Sequence, residues 1–378
     1  MKKILLCLIA VVFGAATFLG SAPVCAKDTL KIGLMCPITG SWASEGQDMK
    51  QILELMADQL NEQGGLLGRD VEIVVGDDAG DPRTAALTAQ RLATRDVAAV
   101  IGTYGSSITE ASQNIYAAAR IIQIANGSTA VRLTEKGLKH FFRTCPRDDE
   151  QARVAVKTIL NNGFKNIAIL HDNTTYAKGL ADEARNLLDQ KSVNIVFFDA
   201  LTPGEQDYTT ILTKLKSTSP DVVFFTGYYP EAGMMLRQKK EMGWKVPFIG
   251  GDATNNPDLV NIAGKTAAEG YMFLSPPVPQ DLPSAEAANF LASYEKKYQT
   301  TPGSIWAVLA GDGFRVIVKA IQETRSTDAD KLAAYLHNDL KEFPVLTGTL
   351  SFNAKGDRVG DVYRVYKVNA NGKFVLQD

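Results

Sequence analysis

Ten short apolar runs alternate with amphipathic helical stretches, and this alternation constrains the chain more than any motif. The strand-like runs are residues 30–35, 71–76, 97–102, 121–125, 141–145, 166–171, 193–198, 221–227, 246–250 and 270–275. Helical spacing of apolar residues fills 47–62, 83–95, 107–120, 149–162, 175–189, 208–217, 230–242 and 285–299. Runs too apolar to alternate in and out belong to strands buried on both faces. Intervening helices then cover parallel sheets. Ten such strands exceed one ordinary doubly wound sheet, so the expectation is α/β with two Rossmann-like lobes. The chain breaks at Cys145-Pro146, where the charged RDDE interrupts the pattern, and at the stiff Ser275-Pro276-Pro277-Val278-Pro279. Further helices follow, then short strands in TGTLSF, VYRVYKV and KFVLQ.

Residues 1–26 read as a secretory signal. Lys2 and Lys3 precede an apolar stretch, and Val24-Cys25-Ala26 fits small-x-small cleavage after Ala26. This predicts a periplasmic protein. A lipid anchor on Cys25 is the weaker alternative, since Pro23 and Val24 make a poor lipobox. The formal net charge is −2, or −4 without the two signal lysines, and no basic stripe could track a phosphate backbone. Nucleic acid is not an expected partner, and a monomer is expected. Cys36 and Cys145 survive cleavage; both end strands, and in an oxidising compartment a bridge between them competes with two small buried thiols. The three histidines, His140, His171 and His337, form no ligand-spaced cluster, so no metal or other cofactor is expected. There is no GxGxxG, P-loop or GxSxG. Ser106, His171 and Asp252 could be assembled into a triad only on paper, and no catalytic residue is assigned.

In open α/β sheets, ligands bind beyond the carboxyl ends of the strands. Two segments there carry small hydroxyl residues, Gly102–Ser107 (GTYGSS) and Ala125–Thr129 (ANGST). Strand ends opening into helices present free N–H groups and a favourable dipole to an anion. Gly250-Gly251-Asp252, from the later half of the chain, supplies a carboxylate. One anion site and one carboxylate suit an α-amino acid zwitterion in a cleft between lobes. Ser106 and Thr129 also have plain readings as helix caps, and Asp252 as a turn residue. Tyr104, Tyr176, Tyr228, Trp42 and Trp306 lie at strand or helix ends, where a pocket would draw its aromatic lining. Glu45 reads either as a solvated acid suiting a helix start or as a specificity residue.

The chain resembles the periplasmic leucine/isoleucine/valine-binding proteins of branched-chain amino acid ABC transporters. KIGLMCPITG, NEQGGLLGRDVEIVVGDDAGDP, VIGTYGSS, FFRTCPRDDEQ, NIAILHDNTTYAKGLA, GYYPEAGMMLRQ and NIAGKTAAEGYMF carry the resemblance over the whole mature chain. It implies two lobes joined by three crossovers that close like a flytrap, with 27–144 and 277–362 in lobe 1 and 145–276 and 363–378 in lobe 2. It implies a carboxylate site at Ser106, a carbonyl acceptor at Gly127 and a dual contact at Thr129. It puts the ammonium partner at Asp252, cleft tyrosines at Tyr176 and Tyr228, and a pocket aromatic at or beside Trp306. It also implies a neutral, branched-chain or otherwise apolar L-amino acid delivered to a membrane permease. A sensory receptor, or a binding protein for an amide or small carboxylate, would share the fold. Two departures stand out. The family's disulfide positions are Gly80 and Gly105, and a pocket aromatic is replaced by Glu45, with Trp42 three residues earlier.

Overall fold

The computed structural model describes residues 29–360 and 362–377; the signal-sequence reading lies outside them. Five parallel strands form the first sheet: β1 (Thr29–Cys36), β2 (Asp70–Asp77), β3 (Val97–Ile101), β4 (Ile122–Ala125) and β5 (Phe141–Arg143). Their order is β2-β1-β3-β4-β5. The helices α1 (Ala43–Glu62), α2 (Pro82–Ala93), α3 (Ser106–Ala118) and the short α4 (Arg132–Glu135) connect them.

The second sheet repeats the plan. The parallel strands β6 (Asn166–His171), β7 (Asn194–Ala200), β8 (Val222–Thr226), β9 (Phe248–Gly250) and β10 (Met272–Ser275) run in the order β7-β6-β8-β9-β10. The helices α5 (Asp148–Asn161), α6 (Thr175–Leu188), α7 (Thr209–Ser217), α8 (Tyr229–Glu241), α9 (Asp258–Ala263) and α10 (Lys265–Ala268) accompany them. The chain then leaves through α11 (Ala285–Tyr298), α12 (Ile305–Thr324) and α13 (Ala329–Asn338), and α11 and α12 pack on α1. A hairpin of β11 (Phe343–Val345) and β12 (Gly348–Leu350) follows. The antiparallel pair β13 (Arg364–Val368) and β14 (Phe374–Leu376) returns to β10. All ten early strands and all eight helical stretches read from the sequence are present. The molecule is α/β with two parallel-sheet lobes.

Local chemistry sets the element ends. Asp81 caps α2 through the Thr84 N–H, with Pro82 opening the helix; Thr174 caps α6, Ser284 caps α11 and Asp328 caps α13. Strand interiors such as Ile32, Leu34, Ile101, Ile169, Phe224 and Phe273 are buried, as expected under two layers of helix. Both sheets reverse strand order between their first and third strands, β1/β3 and β6/β8. The loops leaving those strands are where a crevice opens. Gly102 makes the turn out of β3 with φ +116°, and a Cβ there would lie 2.0 Å from the Met35 carbonyl oxygen.

Of the two readings of Cys36 and Cys145, the structure has the buried thiols and not the bridge. Cys36 and Cys145 are free, buried thiols. In the sheet order β1 and β5 are three strand steps apart, about 14 Å at ordinary strand spacing. A disulfide requires Cα atoms within about 7 Å. The Cys36 thiol instead donates to the Gly46 carbonyl at 3.6 Å. Among the described residues no helix is long and apolar enough to cross a membrane, and no group of three His, Cys, Asp or Glu could hold a metal ion.

Candidate functional site

The loop after β3 and the loop after β4 are joined by hydroxyl groups. The Thr103 and Thr109 hydroxyls lie 2.8 Å apart, as do those of Thr109 and Ser128. The Ser128 hydroxyl also donates to the Thr103 carbonyl at 3.0 Å. Ser106 is not the cap of α3, which is Gly105. Its buried hydroxyl accepts from the Ala130 N–H at 3.2 Å and so belongs to both loops. Thr129 is not a cap either, because α4 starts beyond Val131. Its carbonyl accepts from the Asp148 N–H at 3.0 Å, and its buried Oγ1 lies beside the Asp148 carboxyl, its one polar neighbour, in a loose contact. Gly127 lies flat on Tyr104; a Cβ would come within 2.8 Å of the Tyr104 ring.

A fully buried Arg143 holds this loop from behind. Its guanidinium donates to the Ser128 and Ala130 carbonyls at 3.0 and 2.9 Å and to the Thr134 hydroxyl at 2.7 Å. The remaining fork meets Asp357 at 2.6 Å, and the pairing holds the Asp357 carboxyl below its ordinary range despite burial. The two carbonyls flanking Thr129 are thus held by one guanidinium.

From the other lobe comes Asp252, the first residue of a 3-10 turn after β9. It is 1 % exposed, and burial pushes its carboxyl up to about 6 against the hydrogen bond from the Tyr363 hydroxyl, 2.7 Å away. Its N–H donates to Gln151 Oε1 at 2.9 Å. Gln151 Nε2 in turn donates to Asp148 Oδ1 at 3.2 Å and to the Tyr363 hydroxyl at 3.1 Å. Asp148 is also buried, and its Oδ2 has no partner. Burial first, then the negative charge of Asp252, drive its carboxyl well above the usual range. Two repelling buried carboxyls beside a threonine hydroxyl only loosely held by one of them make a site for a cation with several N–H donors. Asp148, Gln151 and Tyr363 were missed in the sequence. RDDE marks Asp148 only as a charged break, and nothing local distinguishes Gln151 or Tyr363.

The five aromatics come together. Trp42 stacks on Tyr228 with ring centroids 4.1 Å apart and planes at 28°. Tyr104 lies edge-on to Trp42 and Tyr228, at 5.6 and 5.7 Å, and 6.2 Å from Trp306. Tyr176 meets Tyr228 at 5.5 Å, and the Ala253 N–H donates to its hydroxyl at 3.4 Å. The Trp306 indole N–H is buried without a partner. Cβ atoms at Gly80 and Gly105 would lie 2.8 and 3.0 Å from the Trp42 ring. Where the resemblance implies a disulfide, two glycines make room for an indole.

The reading of Glu45 as a solvated acid is corrected, since its side chain is fully buried. Glu45 accepts from Asn256 Nδ2 at 2.7 Å and from the Ser304 hydroxyl. Asn256 belongs to the loop after β9 and Ser304 caps α12, so the carboxyl is enclosed between α1, α12 and the other lobe. Burial, with lesser repulsion from Asp48 and Asp258, raises it to about 8 against those two hydrogen bonds. Other contacts close the lobes on one another. The Tyr229 hydroxyl reaches Ser44 and the Ser41 carbonyl, each at 3.0 Å. The Thr175 N–H donates to Ser107 Oγ at 3.0 Å.

The chain is similar to known proteins over almost its whole described length. The periplasmic binding protein family profile matches residues 29–373. The chain is 32% identical over 362 residues to a Leu/Ile/Val-binding protein of Rhizobium johnstonii, covering 95% of this chain and 96% of that one. It is 34% identical over 344 residues to the leucine-, isoleucine-, valine-, threonine- and alanine-binding protein of Pseudomonas aeruginosa, covering 90% of each. Among solved structures it is similar to a leucine-binding protein of Thermotoga maritima, with TM-score 0.85 and 27% identity over 92% of this chain and 98% of that one. It is also similar to a branched-chain amino acid transporter substrate-binding protein of Streptococcus pneumoniae in complex with isoleucine, with TM-score 0.84 and 29% identity over 93% of this chain and all of that one. The chain therefore belongs to the Leu/Ile/Val-binding protein family, a family of binding proteins rather than enzymes with the type I periplasmic binding protein fold.

Proposed function

We propose that the protein captures a neutral L-α-amino acid between its lobes and delivers it to the membrane permease of an ABC transporter. The observation that carries this reading is the pair of buried, mutually repelling carboxyls Asp148 and Asp252, across from the other lobe's loop, with the Thr129 hydroxyl in loose contact with the Asp148 carboxyl. An ammonium group supplies the three donors this corner lacks, and Ser106 with the loop N–H groups takes the carboxylate. Gly127 offers its carbonyl to the ammonium, while Tyr176, Tyr228, Tyr104, Trp42 and Trp306 enclose the ligand. Glu45 acts on closure rather than on the zwitterion. In this reading 27–144 with 277–362 moves as one lobe and 145–276 with 363–378 as the other. The ligand drives closure because it binds both lobes at once. The relatives' names and the solved complex with isoleucine support an amino acid as ligand and transport as the role.

Thermal shift of protein unfolded, washed free of carried ligand and refolded tests this against the twenty L-amino acids and their amides. A ligand at a thousand times its dissociation constant adds about 4 kcal/mol. Stabilisation by a subset of free L-amino acids is expected. Stabilisation by amides alone would remove the zwitterion site.

A further inference from the structure

We propose that a cavity at the mouth of the cleft, walled by Trp42, Tyr228, Asp172 and Glu231, binds a small primary alkylammonium ion alongside the amino acid. The site itself does not need the zwitterion reading above; only its coupling to the amino acid does.

The cavity has a volume of about 310 Å³ and lies where the loops of the two sheets meet. The loops after β1 and β2 bring Trp42 and Gly80 to it. Those after β6, β7 and β8 bring Asp172, Gly204 and Tyr228, and Glu231 comes from the first turn of α8. Among the described residues no lysine, arginine or histidine lines it. Its two ionisable walls are both acids.

Asp172 is 2 % exposed and Glu231 6 %. Asp172 Oδ1 accepts from the Thr174 N–H at 2.9 Å. Its buried Oδ2 makes no hydrogen bond, and the Thr174 hydroxyl lies beside the carboxyl in a loose contact. Glu231 Oε1 accepts from the Gly204 N–H at 3.1 Å. Burial pushes the Asp172 carboxyl up to about 7 against the Thr174 contacts, the charge of Glu231 adds to the rise, and burial raises Glu231 as well. Two buried carboxyls that repel each other call for a proton or a cation. Among the described residues no third acid, histidine or thiol joins them to hold a metal ion. The aromatic wall favours an organic cation instead. Trp42 is half-buried, and its ring stacks on Tyr228 at 4.1 Å. An alkylammonium turns its N–H donors to the carboxylates and lays its carbons and its charge against the rings. Because the walls come from both lobes, the site is complete only when they close. Amine and amino acid then strengthen each other's binding by the same factor.

The test is calorimetric titration of the refolded protein with n-butylammonium chloride, against sodium chloride and n-butanol, repeated on Asp172→Asn and Glu231→Gln. Asparagine still accepts from Thr174 and glutamine from Gly204, and two variants guard against one failing to fold. The wild type is expected to take up one amine per chain saturably, each variant to bind it at least ten-fold more weakly, and n-butanol not to bind. A saturating amino acid from the thermal-shift screen should tighten the amine at least three-fold. Heat no greater than that of sodium chloride would overturn the proposal. So would wild-type amine affinity in variants that melt cooperatively, or n-butanol binding as tightly as the amine. An amine affinity left unchanged or weakened by the amino acid would overturn it too, weakening being the sign of an amine in the amino acid site. Saturable amine binding with no response to any amino acid would remove the zwitterion reading and leave this site standing.

Discussion

Replacing Glu45 with glutamine should tighten ligand binding at neutral pH and abolish much of its pH dependence. Glu45 sits between α1 and the loop after β9, so its carboxyl is sealed from water only when the lobes are closed. Closed, it titrates at about 8; opened to solvent it returns toward 4.5. The closed form therefore binds one more proton than the open form between these values. Its favourable contribution to closure is complete below about 4.5 and is lost as pH rises to about 8, after which it levels off. At pH 7, protonating a carboxyl of ordinary pKa costs about 3.4 kcal/mol, or roughly 300-fold in affinity. Glutamine is neutral without that cost. It still accepts from Asn256 through its carbonyl and donates to Ser304 through its amide. Titrations from pH 5.5 to 8.5 should show the wild-type dissociation constant rising by up to about ten-fold per unit. They should show net uptake of close to one proton in buffers of different ionisation enthalpy, against little in Glu45→Gln. A variant with the wild-type pH profile and proton uptake would refute the reasoning.

Three further outcomes follow from the same geometry. Asp252→Ala should lose at least 100-fold in amino acid affinity, since breaking a buried charge pair costs about 3–5 kcal/mol, yet should still melt cooperatively; near-wild-type affinity by calorimetry would take Asp252 out of the site. Arg143→Met strips Asp357 of its fully buried cation, leaving it Arg147 and Asn353, and takes from the buried Ser128 carbonyl the guanidinium it accepts from, so chemical denaturation should show a loss of about 3 kcal/mol, and a loss below about 1 kcal/mol would refute the clamp. Thiol titration of the processed, denatured and unreduced protein should count both Cys36 and Cys145 as reactive, and their absence from the count would contradict the strand order.

The strands and helices were legible in the sequence because parallel strands buried on both faces leave unbroken apolar runs. The same runs say nothing of lateral order. That is why Cys36 and Cys145, both at strand ends, looked able to meet although β3 and β4 lie between β1 and β5. Candidate-site residues could be proposed from the sequence where they sit on strand-end loops of small hydroxyl residues, as Ser106 and Thr129 do. Arg143 was not, because its role lies in carbonyls turned toward it by folding and in Asp357, 214 positions away. Glu45 misled for a related reason. An acid in the first turn of a helix suits the dipole wherever it is, and it takes Asn256 and Ser304, 211 and 259 positions on, to enclose it.

The central claim is that the cleft recognises both charged ends of an amino acid. Its most direct measurement is titration of the refolded protein with each L-amino acid that binds, then with that amino acid's amide and its N-acetyl derivative. One ligand per chain, with both derivatives weakened at least 100-fold, is the predicted result. Equal binding of the amide would contradict the carboxylate site at Ser106 and Thr129, and equal binding of the N-acetyl form would contradict the ammonium site at Asp252.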